Sequence, residues 1–232
     1  MLHTQKIIRR LGHARRRAFE LAGSTRYSRT GALDIDRKLE RWIDFDGGFY
    51  VEAGANDGVN FSNTYYLERA RGWSGVLVEG IPELARACSR HRPRSRVVQC
   101  ALVAPEDEGT AVTMHYSNLQ SIVDGALPYE HVEAGAQSQG ENSYAVEVPG
   151  RTLSSVLDDV APSRFDLLVL DVEGYEPNVL RGLDLERHAP AFALVEVLDH
   201  SDGRAAIDEA LAGRYEEVDR LTPHDVLFRR RG

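Results

Sequence analysis

The chain has 232 residues, 42% of them hydrophobic and 28% charged, with a formal net charge of −8. That composition suits one soluble domain with a full core, and two cysteines, Cys88 and Cys100, are too few for a disulfide scaffold. The longest run without a polar side chain, residues 189–195, is far too short to span a bilayer, and the acidic body lacks the basic footprint that nucleic-acid binding needs.

The acidity is uneven: residues 1–29 carry eight Lys/Arg against Glu20 alone. Ile7, Ile8, Leu11, Ala14, Ala18 and Leu21 recur at helical spacing, so residues 4–22 are predicted as a basic amphipathic helix. It has no apolar signal-peptide core, and the chain is read as cytoplasmic. Such a helix either lies on an anionic membrane surface, or packs on its own domain or on a second copy of the chain, its arginine face in solvent. A joint at residues 23–31 and a short helix at 34–43 follow. Residues 1–44 are thus read as an N-terminal helical arm and residues 45–232 as the domain.

From Gly48 short apolar runs alternate with helical stretches. Phe49, Tyr50 and Val51 form a first strand, then come a glycine-bearing turn and a helix over about residues 60–71. Val76, Leu77 and Val78 form a second strand, with a helix over 82–90 that has proline in its first turn. Further strands are expected over 97–102, 167–170 and 191–198, with helices over 177–181 and 205–212. Residues 215–218 and 226–228 suit a closing antiparallel pair. Near-continuous Val/Leu strands alternating with helices predict an α/β fold, its mostly parallel sheet covered on both faces. Residues 113–144 break the alternation, and are read either as a lid over a substrate or as a plain surface insertion.

In such sheets ligands bind beyond the carboxyl ends of the strands. Glu52, Gly54, Ala55, Asn56, Asp57 and Gly58 span one such end. Glycines there allow a sharp turn and close approach to a ligand, and a helix opening after the turn would favour a carboxylate. Glu52, just before the turn, would receive a cation. Both ends of an amino acid, such as that of S-adenosylmethionine, fit these two fields. On this reading a branched side chain at Gly54 would fill the ligand's space and harm binding more than folding. Glu79 ends the second strand, placed to accept hydrogen bonds from two ribose hydroxyls. A nicotinamide dehydrogenase also uses such an acid, but Asn56 stands where its second glycine should be. A third possibility is a domain that binds cofactor or a partner and transfers nothing.

The residues Val51–Gly58, Ser62-Asn63-Thr64, Gly72–Glu79, Leu170–Glu176 and Val179–Gly182 together resemble the FkbM family of S-adenosylmethionine-dependent methyltransferases. The resemblance covers about residues 45–200. It implies a class I, Rossmann-like methyltransferase fold with a seven-stranded sheet, and cofactor contacts that include Asn63 and Ala101. It also implies methyl transfer to a hydroxyl, commonly of a sugar, glycoside or polyketide-like product. Gly80 and Ile81 separate Glu79 from Pro82, where family members often have proline directly after the acid.

Asp171 ends the fourth strand, Glu173 follows two residues on, and Glu196 ends the fifth, with His200 just beyond. All should face the cofactor edge. An aliphatic hydroxyl attacks a methyl group well only as its proton leaves. Asp171, Glu173 or His200 could take that proton. Alternatively Asp171 and Glu196 could hold Mg²⁺, which lowers the hydroxyl's pKa. The plainer readings are that Glu173 caps the next helix and that Glu196 pairs with Arg181 or Arg204. Cys88 and Cys100 are read as buried thiols.

Overall fold

The computed structural model describes residues 2–116, 122–124, 144–198, 203–211 and 213–232. Helix α1 (Leu2–Leu21) and short α2 (Ile35–Leu39) lead into the sheet. Strand β1 (Phe49–Ala53), helix α3 (Tyr65–Ala70), β2 (Ser74–Val78), α4 (Pro82–His91), β3 (Arg96–Val98) and β4 (Ala101–Leu102) follow. Next come β5 (Ala111–Tyr116), β6 (Ile122–Val123), β7 (Tyr144–Arg151) and α5 (Leu153–Val160). The chain ends with β8 (Leu167–Leu170), α6 (Glu176–Arg181), β9 (Phe192–Glu196), α7 (Gly203–Ala210), β10 (Tyr215–Arg220) and β11 (Asp225–Arg230). Among the described residues no helix is long and apolar enough to cross a membrane.

The main sheet has seven strands in the order β10-β11-β9-β8-β1-β2-β3. All run parallel except β11, which is antiparallel to both neighbours. This is the mostly parallel α/β sheet that the strand and helix pattern predicts, with the seven strands that the family resemblance implies. Side chains alternate between two faces of a strand, and the strands are apolar on both. Val51, Val76, Leu168, Leu170 and Val195 face the core under α5, α6 and α7. Tyr50, Leu77, Leu167, Val169 and Leu194 face the core under α2, α3 and α4. The order reverses at β1, which has β2 on one side and β8 on the other. The crevice for a ligand opens at that switch point.

Three expectations are corrected. The predicted third strand over 97–102 splits: β3 stays in the main sheet, whereas β4 leaves it and pairs with β7. The segment 113–144 is not irregular at its ends. Strands β4, β7, β5 and β6 form a second, four-stranded sheet, whose apolar face (Ala101, Met114, Val148) packs with Ile81; residues 117–121 and 125–143 lie outside the described residues. Finally, the helix after the first turn begins at Tyr65 rather than near Asn60. Ser62 and Thr64 bond back to Glu52 instead of starting a helix at the turn. That helix therefore does not open directly at the Gly54 turn.

Candidate active site

A cavity of about 270 Å³ opens at the carboxyl ends of β1, β2, β8 and β9. Its wall takes residues from the Gly54 turn, the loop before α3, the end of β2, the second sheet and the β8–α6 turn. Glu52, Glu79, Asp171, Glu173, Glu196 and Asp225 all contribute to it. Among the described lining residues there is no lysine, arginine or histidine.

Gly54 has φ +79°, and a Cβ built on it would lie 1.8 Å from the backbone oxygen of Asp171. Its need for glycine comes from contact between β1 and β8, not from room for a ligand, which corrects the sequence reading. Gly54, Ala55, Asn56, Asn63 and Ala101 do line the cavity. Asp57 and Gly58 do not. The Asp57 carboxylate accepts the N–H groups of Val59 (2.9 Å) and Asn60 (2.8 Å), and so shapes the turn. A Cβ on Gly58 would meet Arg92 and Cys88 of the α4 side at 3.0 and 3.1 Å. Both residues serve the turn's shape and its seat on α4.

Glu79 lines the cavity just after the end of β2. Its two carboxylate oxygens accept hydrogen bonds from the N–H of Asn56 (2.8 Å) and of Ile81 (2.8 Å). Burial pushes its pKa up to about 7 despite these donors. Each oxygen keeps lone-pair capacity for a further donor, such as a ribose hydroxyl.

Glu52 departs from expectation. Its oxygens accept from Ser62 Oγ (2.8 Å), Asn63 N (2.8 Å) and Thr64 Oγ1 (2.6 Å). The cation facing it is not a ligand's ammonium but Arg92, at 3.6 Å. Arg92 is fully buried and donates to Glu68 Oε2 (2.9 Å), Gly58 O (2.9 Å), Ser62 Oγ (3.0 Å), Thr64 Oγ1 (2.9 Å) and Tyr50 Oη (2.5 Å). Losing one member of such a buried ion network typically costs about 3–5 kcal/mol. Spacing along the chain gave no sign of it, because Arg92 follows a helix that only tertiary packing brings beneath β1.

At the other end, the Asp171 side chain is exposed in the cavity, with protein packed densely behind it. Desolvation by that packing, then the charges of Glu176, Asp225 and Glu52, push its pKa up to about 7. It lies in hydrogen-bond range of Glu196, whose own pKa is pushed up further by burial and by Asp171. Two adjacent carboxyl groups hold back each other's ionisation, so both values move up. The Oε2 atom of Glu196 is buried without a partner. Glu173, raised to about 8 by burial and by Asp171, also faces the cavity. It does not cap α6. That helix has no side-chain cap, and Glu176 accepts the N–H groups of Val172 (2.8 Å) and Gly174 (3.3 Å) in the turn before it, where Glu173 sits at φ +56°. Backbone strain of this kind concentrates at functional sites.

Glu196 pairs with neither Arg181 nor Arg204, which bind Glu106 and Asp208 with Glu217. Asp225 is a further wall residue, which the sequence pattern missed. It sits opposite Glu196 across the antiparallel β9–β11 pairing, a register that only the topology reveals. Among the described residues no group of three or more His, Cys, Asp or Glu side chains is arranged to hold a metal ion. The two residues expected to hold a metal, Asp171 and Glu196, stand together at the cavity wall. His200 lies outside the described residues. Cys88 and Cys100 are buried, free thiols.

The methyltransferase FkbM domain description matches residues 52–221. No curated protein sequence matches the chain. A methyltransferase FkbM from Methylobacillus flagellatus has a similar structure, with 13% identity and a TM-score of 0.50 over 79% of this chain and 44% of that one. This chain thus spans less than half of that protein. A TehB-like S-adenosylmethionine-dependent methyltransferase from Corynebacterium glutamicum aligns over 99% of this chain and 98% of its own, at 14% identity and a TM-score of 0.45. A 1,6-didemethyltoxoflavin-N1-methyltransferase from Burkholderia thailandensis aligns over 99% and 90%, at 15% identity and a TM-score of 0.43. At such identities the likeness is one of fold.

Proposed function

The chain belongs to the FkbM family of methyltransferases, and on that premise we propose that it acts in the cytoplasm, moving the methyl group of S-adenosylmethionine to a hydroxyl of a sugar, glycoside or related natural product. The observation that carries this reading is the cavity wall. It carries six carboxyl side chains, and among the described residues no basic side chain joins them. Such a wall suits a ligand that brings positive charge and hydroxyl donors. Among the described residues it offers the pyrophosphate of a dinucleotide no basic partner, which favours S-adenosylmethionine over a nicotinamide cofactor.

S-adenosylmethionine, when bound, supplies a methyl group on a positively charged sulfur, already activated for displacement. Glu79 holds the ribose end, its carboxylate fixed by Asn56 and Ile81. Gly54, Ala55 and Asn56 give a backbone surface on which the rest can lie. At the acceptor end the protein has two tasks. One is to hold the acceptor oxygen in line with the methyl carbon, which can contribute roughly 7–11 kcal/mol. The other is to take the hydroxyl proton as the new C–O bond forms and the C–S bond breaks. Asp171 takes it. Its pKa, lifted toward neutrality, makes it a stronger base than an ordinary carboxylate while leaving it ionised in a useful fraction of molecules. Glu196 holds the pair's other proton and keeps Asp171 oriented. The test is transfer of a labelled methyl group from S-adenosylmethionine to a panel of sugars and glycosylated natural products. Labelled product that survives as an ether supports the reading. Transfer only to amines or thiols would refute the hydroxyl part.

A further inference from the structure

The arm before β1 lies outside the stretch that matches the family, yet it builds part of the cavity. Ala32 and Ile35 stand in the wall, beside Asn60, Phe61, Ser62 and Asn63 of the loop before α3. That loop is layered between the cavity and the arm. Thr30 Oγ1 donates to the carbonyl of Ser62 (3.2 Å), and Gly31 forms a parallel bridge with Phe61. A Cβ on Gly31 would come within 2.9 Å of Asn63 Oδ1, itself a buried atom with no partner.

The same contact continues up the arm. The Arg29 guanidinium stacks over the ring of Tyr66 at 3.7 Å and bonds Glu40 at 2.7 Å. Tyr65 Oη donates to the buried Glu20 carboxylate (2.9 Å), which also accepts from Ser28 (2.8 Å). His13 lies 3.3 Å from Asn60 Oδ1. The two sides of the mouth are strained where they meet: Leu33, Asp34 and Phe61 all have φ between +48° and +62°. Non-glycine residues hold such angles only when their surroundings impose them, and they cluster at ligand clamps.

We propose that residues 13–35 form a strap that completes the cofactor cavity, so that cofactor binding and docking of the strap are coupled. The proposal rests on the cofactor reading given above. Every polar strap contact named here falls on residues 60–66, within the strap or on Glu40 at the end of α2, and residues 60–63 are themselves cavity wall. A ligand that fixes this loop therefore fixes the strap's docking surface. By reciprocity, loosening the strap must weaken the ligand by the same factor.

The experiment is limited trypsin digestion of the full chain with and without saturating S-adenosylhomocysteine, followed by mass spectrometry. Arg15, Arg16, Arg17, Arg26 and Arg29 provide cleavage sites along the strap. Exposed Arg164, between α5 and β8, is the control. The ligand should slow strap cleavage at least tenfold and leave cleavage at Arg164 within twofold. In a second arm, the double variant Arg29→Ala, Thr30→Val should raise the calorimetric Kd for S-adenosylhomocysteine at least fivefold, measured below its thermal midpoint. Ligand binding with unchanged strap cleavage overturns the strap alone, as does a wild-type Kd in the double variant. No binding to the wild-type chain overturns the cofactor reading, and the strap with it.

Discussion

A Cβ on Gly54 would sit 1.8 Å from the carbonyl oxygen of Asp171, so the turn that ends β1 and the turn that ends β8 touch backbone to backbone. These two turns frame the cavity, and their contact fixes how far apart the cofactor surface and the reacting acid stand. Gly54→Ala must relieve that overlap by moving one turn, and must also hold alanine at φ +79°. The angle alone costs on the order of 1–3 kcal/mol. We expect poor soluble yield, or a thermal midpoint lowered by several degrees, before any effect on binding. A soluble variant with the wild-type midpoint and weakened binding would restore the ligand-space reading instead.

Glu79 should report cofactor binding through its proton. Buried, with a pKa near 7, it is partly protonated at pH 6.5. Ribose hydroxyls donating to it favour the charged form, so binding should release protons. Calorimetry of S-adenosylhomocysteine in buffers of different ionisation enthalpy reads that release directly. Glu79→Gln should abolish it and weaken binding tenfold or more, since a hydrogen bond to a charged group contributes roughly 1.5–3 kcal/mol. Equal release in wild type and variant would assign the proton to another group.

The legible parts of this protein were those whose signal is local. The strands Val76–Val78 and Leu167–Leu170 are runs of apolar residues, buried on both faces because helices cover both, and their positions could be read from composition alone. Glu79 and Asp171 were legible because a strand end is a definite place in an α/β sheet. What failed to show depends on partners far along the chain. Glu52 carries an acid at a strand end like Glu79, but Arg92 and the Ser62–Thr64 segment claim it. Strand β7 contains Pro149 and Gly150, residues with weak strand character, and it is held by pairing with β5 and β4. The arm's cavity residues, Ala32 and Ile35, carry no chemical mark at all.

The cavity acids should make the free protein less stable as pH rises. Glu79, Glu173 and Glu196 have pKa values raised above those of the unfolded chain, to about 7, about 8 and about 10. Above pH 4.5 the unfolded chain releases these protons while the folded one keeps them. The folded state then binds more protons, and stability falls as pH increases. Surface acids such as Asp158, Asp184 and Glu216 have lowered values, so their contribution changes only at lower pH. The thermal midpoint without ligand should therefore decline between about pH 5.5 and pH 9. Glu196→Gln, which cannot ionise, should flatten the decline. A midpoint that rises across this range would mean the acids are solvated and ordinary.

Asp171 and Glu196 are expected to divide the proton work unequally, and substitution can separate them. Asp171→Asn keeps the side chain's size and removes the base. Turnover should fall by roughly 10²–10⁴-fold, the range for losing a general base. Affinity for S-adenosylhomocysteine should stay within about twofold, because Glu79 and the Gly54 turn carry the cofactor. Wild-type turnover should rise with pH as Asp171 ionises near neutrality. Glu196→Gln retains an N–H donor in place of the carboxyl proton, so it should cost less than about tenfold. If the pair instead held Mg²⁺, Glu196→Gln would match Asp171→Asn, and EDTA would abolish activity until Mg²⁺ was restored. With a proton-sharing pair, EDTA changes nothing. Full activity in Asp171→Asn would remove it from the proton transfer and leave orientation of the acceptor as the source of the rate.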